Sequence, residues 1–97
     1  MSRRFRRSDD VVERKVRDSL ILVPLGTEAA RIDSLYTLNE MGGLIWSEAA
    51  KGAAEDEIVV AIAGEYEADA ETIRRDCRRL LDELVGVGAL LVVEGDA

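Results

Sequence analysis

Residues 36–46 read YTLNEMGGLIW and mark a change from strand to helix. Asn39 is well suited to cap a helix, because its side-chain oxygen can accept a backbone N–H of the first turn. Glu40 lies in that turn, where a negative charge is favourable. Gly42 and Gly43 each lower helix stability by about 1 kcal/mol relative to alanine. This cost predicts that a neighbouring backbone approaches the two glycines closely.

The segment before this junction predicts β-strands. Residues 11–25, VVERKVRDSLILVPL, alternate and then become continuously apolar, with turn residues at 17–19, so we expect a hairpin. Leu20 to Val23 is apolar on both faces and is therefore predicted to be an inner strand, which Pro24 ends because proline cannot donate to a ladder. A third strand is predicted over residues 32–38.

The segment after the junction predicts three helices. They extend from the Asn39 cap to Lys51-Gly52, over about residues 54–65, and from the Asp69 cap to Gly86. The apolar residues expected to face inward are Met41, Leu44, Ile45, Ala49, Ile58, Ala61, Ile62, Ile73, Cys77, Leu80 and Leu84. Residues 89–93 are apolar and β-prone, and either add a short strand or pack under the helices. Trp46 is expected to be a packing residue rather than a ligand stacker.

Length and composition indicate one domain with little catalytic equipment. The chain has 97 residues and no histidine, which removes the commonest general base and transition-metal ligand. The single cysteine, Cys77, cannot form an internal disulfide, and its predicted place on the core stripe favours a packing role. The carboxylates are abundant but do not have a spacing that requires paired acid and base roles. We therefore predict no catalytic residues, no metal and no cofactor.

The charge is unevenly distributed along the chain. The net charge is -7, and four of the 13 cationic residues lie in the first seven positions. Residues 1–10 are predicted to be a flexible basic arm, either a solvated tail or a segment that steers an acidic partner. No apolar run reaches the length of a membrane span, and the start does not resemble a signal peptide, so a cytoplasmic protein is expected. The predicted domain occupies residues 11–93, followed by a tail at 94–97.

The order of these elements resembles that of the PqqD-like family, which includes the pyrroloquinoline quinone biosynthesis protein D. The resemblance covers roughly residues 11–92. The residues that carry it are Leu38-Asn39-Glu40, Ile45-Trp46, Glu57-Ile58-Val59, Glu65-Tyr66 and Gly88-Ala89-Leu90. It implies an α+β, winged helix-turn-helix-like fold in which a three-stranded antiparallel sheet precedes three helices.

The same resemblance implies a non-catalytic peptide chaperone, a recognition element for ribosomally made precursor peptides. Such a protein binds the leader of the precursor and delivers it to a modifying enzyme, often a radical S-adenosylmethionine protein. In the family the leader adds as a strand beside the third strand and packs against the third helix. Carried over to this chain, the predicted peptide-binding residues are Ser34, Leu35, Tyr36, Thr37, Leu38, Arg74, Cys77, Arg78 and Leu81.

The arginines of the third helix allow two interpretations. Arg74, Arg78 and Leu81 share one flank of the core stripe, opposite Asp76 and Glu83, which predicts a groove with Leu81 as its floor and suits an acidic leader. Alternatively, the arginines form an ordinary ion-paired surface through i,i+4 pairs. These pairs are Glu71–Arg75, Arg78–Asp82 and Arg79–Glu83. The sequence also leaves open whether Tyr36 faces the core or the groove.

Two further alternatives concern partners. The four arginines of the third helix allow a winged-helix DNA-binding regulator. Without the four N-terminal arginines, however, the chain has 9 positive and 20 negative charges, so nucleic acid is not the expected partner. An exposed third strand also permits a homodimer through edge pairing.

Overall fold

The computed structural model describes residues 3–24 and 36–93. Within them, the chain forms β1 (Arg4–Arg7), β2 (Val11–Val16), β3 (Ser19–Pro24), β4 (Tyr36–Leu38), α1 (Glu40–Ala50), α2 (Glu55–Glu65), α3 (Ala70–Gly86) and β5 (Leu90–Val93). No helix in these two ranges is long and apolar enough to cross a membrane.

Strands β2, β3 and β4 form the predicted three-stranded antiparallel sheet, with β3 in the centre. The β2–β3 hairpin turns at Arg17, whose φ of 56° is in the left-handed region that tight turns use. The structure confirms β3 as the predicted inner strand, since β2 pairs with one of its edges and β4 with the other. The predicted start of the third strand, residues 32–35, lies outside the described residues. Together with the three helices, this sheet confirms the predicted α+β fold.

The structure differs from the predicted flexible arm at residues 4–7. There β1 pairs antiparallel with β5, and Phe5 is only 1% exposed. Beyond the strand, the Ser8 N–H donates to the carbonyl of Ala89 at 2.9 Å. The Arg3 guanidinium binds the Glu55 carboxylate at 3.0 Å. One buried ring and a strand pairing therefore order a segment whose composition is mostly cationic.

Helix α1 begins as predicted. The Asn39 Oδ1 accepts the backbone N–H of Gly42 at 2.8 Å. The close neighbour of Gly42 is a side chain and not the predicted backbone, because a Cβ on Gly42 would make a tight contact of 3.3 Å with the Leu38 Cβ. It would also lie 3.2 Å from the capping oxygen of Asn39. The glycine therefore lets the strand end and the helix start pack against each other.

The core lies between the three helices and the two sheets. Its largest fully buried side chains are Trp46, Phe5, Leu22, Ile45, Ile58, Ile62, Ile73, Leu81, Leu84, Leu90 and Cys77. The burial of Trp46 confirms its predicted packing role. Two predicted positions were wrong by one or two residues: Val59 is buried in α2 where Ala61 was expected, and Leu81 is buried in α3 while Leu80 is only partly covered.

Candidate functional site

Strand β4 presents a backbone edge next to a groove. On one side β4 pairs with β3, with Leu20 opposite Leu38 and Leu22 opposite Tyr36. Among the residues that the structure describes, no strand pairs with its other side. An edge strand of this kind presents unpaired N–H and C=O groups that an extended peptide can satisfy.

A groove of about 610 Å³ extends between β4 and α3. Its described lining residues are Ser19, Tyr36, Thr37, Leu38, Asn39, Gly42, Leu80 and Glu83. The lining combines the end of β4, the start of α1 and one flank of α3. The strand-to-helix junction at residues 36–46 is thus also one wall of this groove. We name the groove the β4–α3 groove.

Tyr36 joins the two walls of the β4–α3 groove. Its hydroxyl donates a hydrogen bond to the Glu83 Oε1 at 2.6 Å. Burial, and secondly the neighbouring Glu83 carboxylate, raises the pKa of Tyr36 to about 12. The phenol therefore stays protonated and remains a donor across the physiological range. Tyr36 combines the two positions that the sequence left open, because it lines the groove and also packs in part against the core cluster.

Leu80 supplies the apolar surface on the α3 side of the groove. It is partly buried and packs against the core cluster, whereas Leu81, the next residue, is fully buried. Successive residues of a helix point about 100° apart, so only one of the two leucines can face the groove. Glu83 lies one turn after Leu80 and therefore shares its flank. Sequence reasoning missed Leu80 because it assigned this leucine to the core.

The predicted arginine flank lies on the other side of α3. Arg74 and Arg78 line a separate depression of about 510 Å³ together with Glu71, Arg75, Arg79 and Asp82. Arg74 pairs with Asp56 at 3.0 Å, and Arg78 pairs with Glu55 at 2.8 Å. Both partners belong to α2 and neither belongs to β4. The structure does not bring these two arginines together with Tyr36, Thr37 and Leu38.

The arginines of α3 that form ion pairs do so with residues distant in the sequence and not with the predicted partners four residues away. Glu55 is 3% exposed and accepts from both Arg3 and Arg78. The Asp82 carboxylate, expected opposite Arg78, instead binds Arg3 at 2.8 Å. Within residues 3–24 and 36–93, Arg75 and Arg79 make no ion pair. A carboxylate that binds two guanidinium groups fixes the N-terminal strand to α2 and α3.

The remaining predicted peptide-binding residues divide into two groups. Ser34 and Leu35 lie outside the described residues. Cys77 and Leu81 are fully buried, so Leu81 presents no surface as a groove floor. Burial, followed by the nearby Asp76 and Glu55 carboxylates, raises the pKa of the Cys77 thiol to about 11. The thiol is therefore both covered and protonated under ordinary conditions.

We expect Cys77 to be inert in the folded protein, because only an accessible thiolate can attack a thiol reagent. The folded chain should react with dithiobis(nitrobenzoic acid) at least about a hundredfold more slowly than the same chain in denaturant. A matched control carries Cys77→Ser with Ser47→Cys, which moves the thiol to an exposed position of α1. That control should react rapidly while folded. Rapid reaction of folded wild-type protein would contradict the burial of Cys77.

Comparison with protein-family models matches the coenzyme PQQ synthesis protein D (PqqD) family over residues 19–90. Among solved structures, TbiB1 in complex with the TbiA(beta) leader peptide is 35% identical, with a TM-score of 0.74. The match covers 95% of this chain and 98% of that one. A comparison with curated proteins gave no match.

A second solved structure shares the fold at lower identity. It is a lasso peptide synthetase B1 complexed with the leader peptide, 21% identical, with a TM-score of 0.75. The match covers 90% of this chain and 96% of that one. The family match includes β3, β4 and the three helices, and so contains both walls of the β4–α3 groove. The chain belongs to the PqqD family.

Proposed function

We propose that this protein binds the leader of a ribosomally made precursor peptide by strand addition at the free edge of β4. The observation that carries the proposal is the edge of β4, which pairs with no strand among residues 3–24 and 36–93 and lies beside a groove with apolar and polar walls. Similarity to TbiB1, whose structure contains a leader peptide, supports the same class of ligand. The groove residues Tyr36, Thr37, Leu38, Leu80 and Glu83 are the proposed contacts.

Backbone pairing alone cannot account for tight binding. Ordering each leader residue costs about 1–2 kcal/mol of backbone entropy, whereas each hydrogen bond contributes a net of about 0.5–1.5 kcal/mol. An affinity near 1 μM corresponds to about -8 kcal/mol. Several apolar leader side chains, each contributing roughly 1.5–3 kcal/mol when buried, would supply it. Since alternate residues of a strand share a face, alternating apolar residues of the leader are expected to carry recognition.

The protein itself is proposed to be non-catalytic and to present the leader to a modifying enzyme. Membership of the PqqD family supports this role, and the class of that enzyme stays the prediction from the family, a radical S-adenosylmethionine protein. A homodimer through β4 also stays a prediction. Such a dimer would use the same backbone edge as the leader, so leader binding is expected to dissociate it.

The first test is a heteronuclear NMR titration of labelled protein with candidate leaders from short reading frames beside its gene. Shifts at Tyr36, Thr37 and Leu38, together with Leu80 and Glu83, are expected. Shifts at Arg74 and Arg78 instead would move the site to the α2-facing flank of α3. Duplex DNA that perturbs α3, where the peptides perturb nothing, would contradict the proposal and favour nucleic acid.

The substitution Leu80→Ser should weaken leader binding by about tenfold, since it removes roughly 1.5 kcal/mol of apolar contact in the groove. Val60→Ser is the matched control, because Val60 is a 72% exposed apolar residue of α2 that does not line the groove. Fluorescence anisotropy with a labelled leader measures both affinities. Equal affinities for the two variants would remove Leu80 from the site.

A further inference from the structure

Glu83 is the one carboxylic acid among the described residues that line the β4–α3 groove, and no lysine or arginine lines it there. The other described lining residues are Ser19, Tyr36, Thr37, Leu38, Asn39, Gly42 and Leu80. The arginines of α3 are not among these lining residues, since all four line the separate depression. A charged group that enters the groove therefore meets a carboxylate with no cationic side chain beside it in the described lining.

Tyr36 orients this carboxylate. Its hydroxyl bonds the Oε1 of Glu83, and among the described residues no other group bonds either oxygen. An ionised carboxylate has about four acceptor sites, so Oε2 and the remaining sites of Oε1 can accept from a ligand. The flexible glutamate side chain is thereby held over the groove by a short contact to β4, the strand that a bound peptide would lie beside.

We propose that Glu83 selects a leader with a lysine or arginine at one position, opposite the Tyr36–Glu83 contact. This inference rests on the proposed function, because it concerns a peptide seated in the same groove. The expected leader residue is basic, whereas the arginine flank alone would suit an acidic leader. Glu83 is the specificity-determining residue, and Tyr36 is a positioning residue that acts through it.

A bound leader strengthens the electrostatic interaction of the Glu83 carboxylate with the leader's own charged residues. An ion pair on an open surface contributes little, because water screens it. A peptide strand along β4 covers the groove and removes part of that water, which strengthens the attraction to a cation and the repulsion of an acid. Replacement of the leader cation by glutamate should therefore weaken binding by at least about tenfold.

The test is a selection from a displayed library of random linear peptides on immobilised full-length protein. Wild-type protein should enrich peptides with alternating apolar residues and one basic residue at a fixed spacing from them. Glu83→Arg should enrich an acidic residue at that same spacing. Glu71→Arg, an equal charge reversal at an exposed position of α3 that lines the other depression, should keep the wild-type preference.

A charge-swap cycle then quantifies the pair. In a selected peptide, the basic residue is changed to glutamate, and binding to wild type and Glu83→Arg is measured by anisotropy. Wild-type protein should bind the glutamate-containing peptide at least about tenfold more weakly than the original peptide, and Glu83→Arg should recover most of that lost affinity. Tyr36→Phe should reduce the discrimination between the two peptides without inverting it. Thermal unfolding of each variant confirms that the fold is retained.

The outcomes separate the two proposals. Peptides that bind with an NMR footprint on β4, but keep their basic preference or show none when Glu83 is reversed, overturn the role of Glu83 and leave the leader site intact. Selected peptides whose footprint lies away from β4, or a selection that yields no binders, overturn the leader site and the charge selection with it.

Discussion

The substitution Phe5→Ala is expected to lower the free energy of unfolding by about 3–5 kcal/mol. Phe5 belongs to the core cluster and is 1% exposed, although four arginines surround it in the sequence. Removal of the ring leaves a cavity between β1 and the helices, and the pairing of β1 with β5 loses its anchor. Since small domains have total stabilities of about 5–15 kcal/mol, this one change would remove a large fraction.

Chemical denaturation followed by circular dichroism measures the effect of Phe5→Ala. The matched control is Arg6→Ala, which changes an exposed residue of the same strand and should alter stability by less than about 0.5 kcal/mol. If Phe5→Ala left the unfolding midpoint unchanged, residues 4–7 would behave as the flexible arm that their composition predicts. Truncation before Ser8 should destabilise the protein at least as much, because it removes the whole of β1.

The second large effect is expected from Leu81→Ala, which should destabilise the fold by about 2–5 kcal/mol. Leu81 has 0% exposure and lies in the core with Ile73, Cys77 and Leu84. Its side chain has no route to the groove, so leader affinity measured well below the unfolding transition should stay within about twofold of wild type. Calorimetry and anisotropy on the same preparation separate the two properties.

Leu80→Ala provides the internal comparison one residue earlier. Partial burial should limit its cost to about 1 kcal/mol, while its loss from the groove lowers leader affinity. The two adjacent leucines are therefore expected to show opposite patterns, with stability lost at position 81 and affinity lost at position 80. The reverse pattern would mean that the groove lies on the arginine flank of α3.

Local chemistry accounts for what the sequence predicted well. The hairpin, the central position of β3, the Asn39 cap and the burial of Trp46 each depend on residues close to one another in the chain. Capping and periodicity act over one or two turns, and their signals remain readable in one sequence. The order of elements also indicated the PqqD family.

Adjacent residues at the edge of an apolar stripe were harder to separate. A helical wheel places both Leu80 and Leu81 beside the stripe, and either can complete it. The choice depends on where β4 and α2 lie against α3. Glu55 and Asp56 of α2 hold the arginine side of the helix, which leaves Leu80 and Glu83 toward β4.

The sequence by itself determined the β2–β3 hairpin, the three helices that follow it, the Asn39 cap and most of the buried residues of those helices. Only the tertiary structure decided that β1 pairs with β5, that Arg3 and Arg78 share Glu55, and that the wall of the groove is acidic. Periodicity reports which face of an element is apolar, but not which element covers it. Pairing between distant segments depends on the shape of the whole core, and here that shape also sets the charge of the proposed leader site.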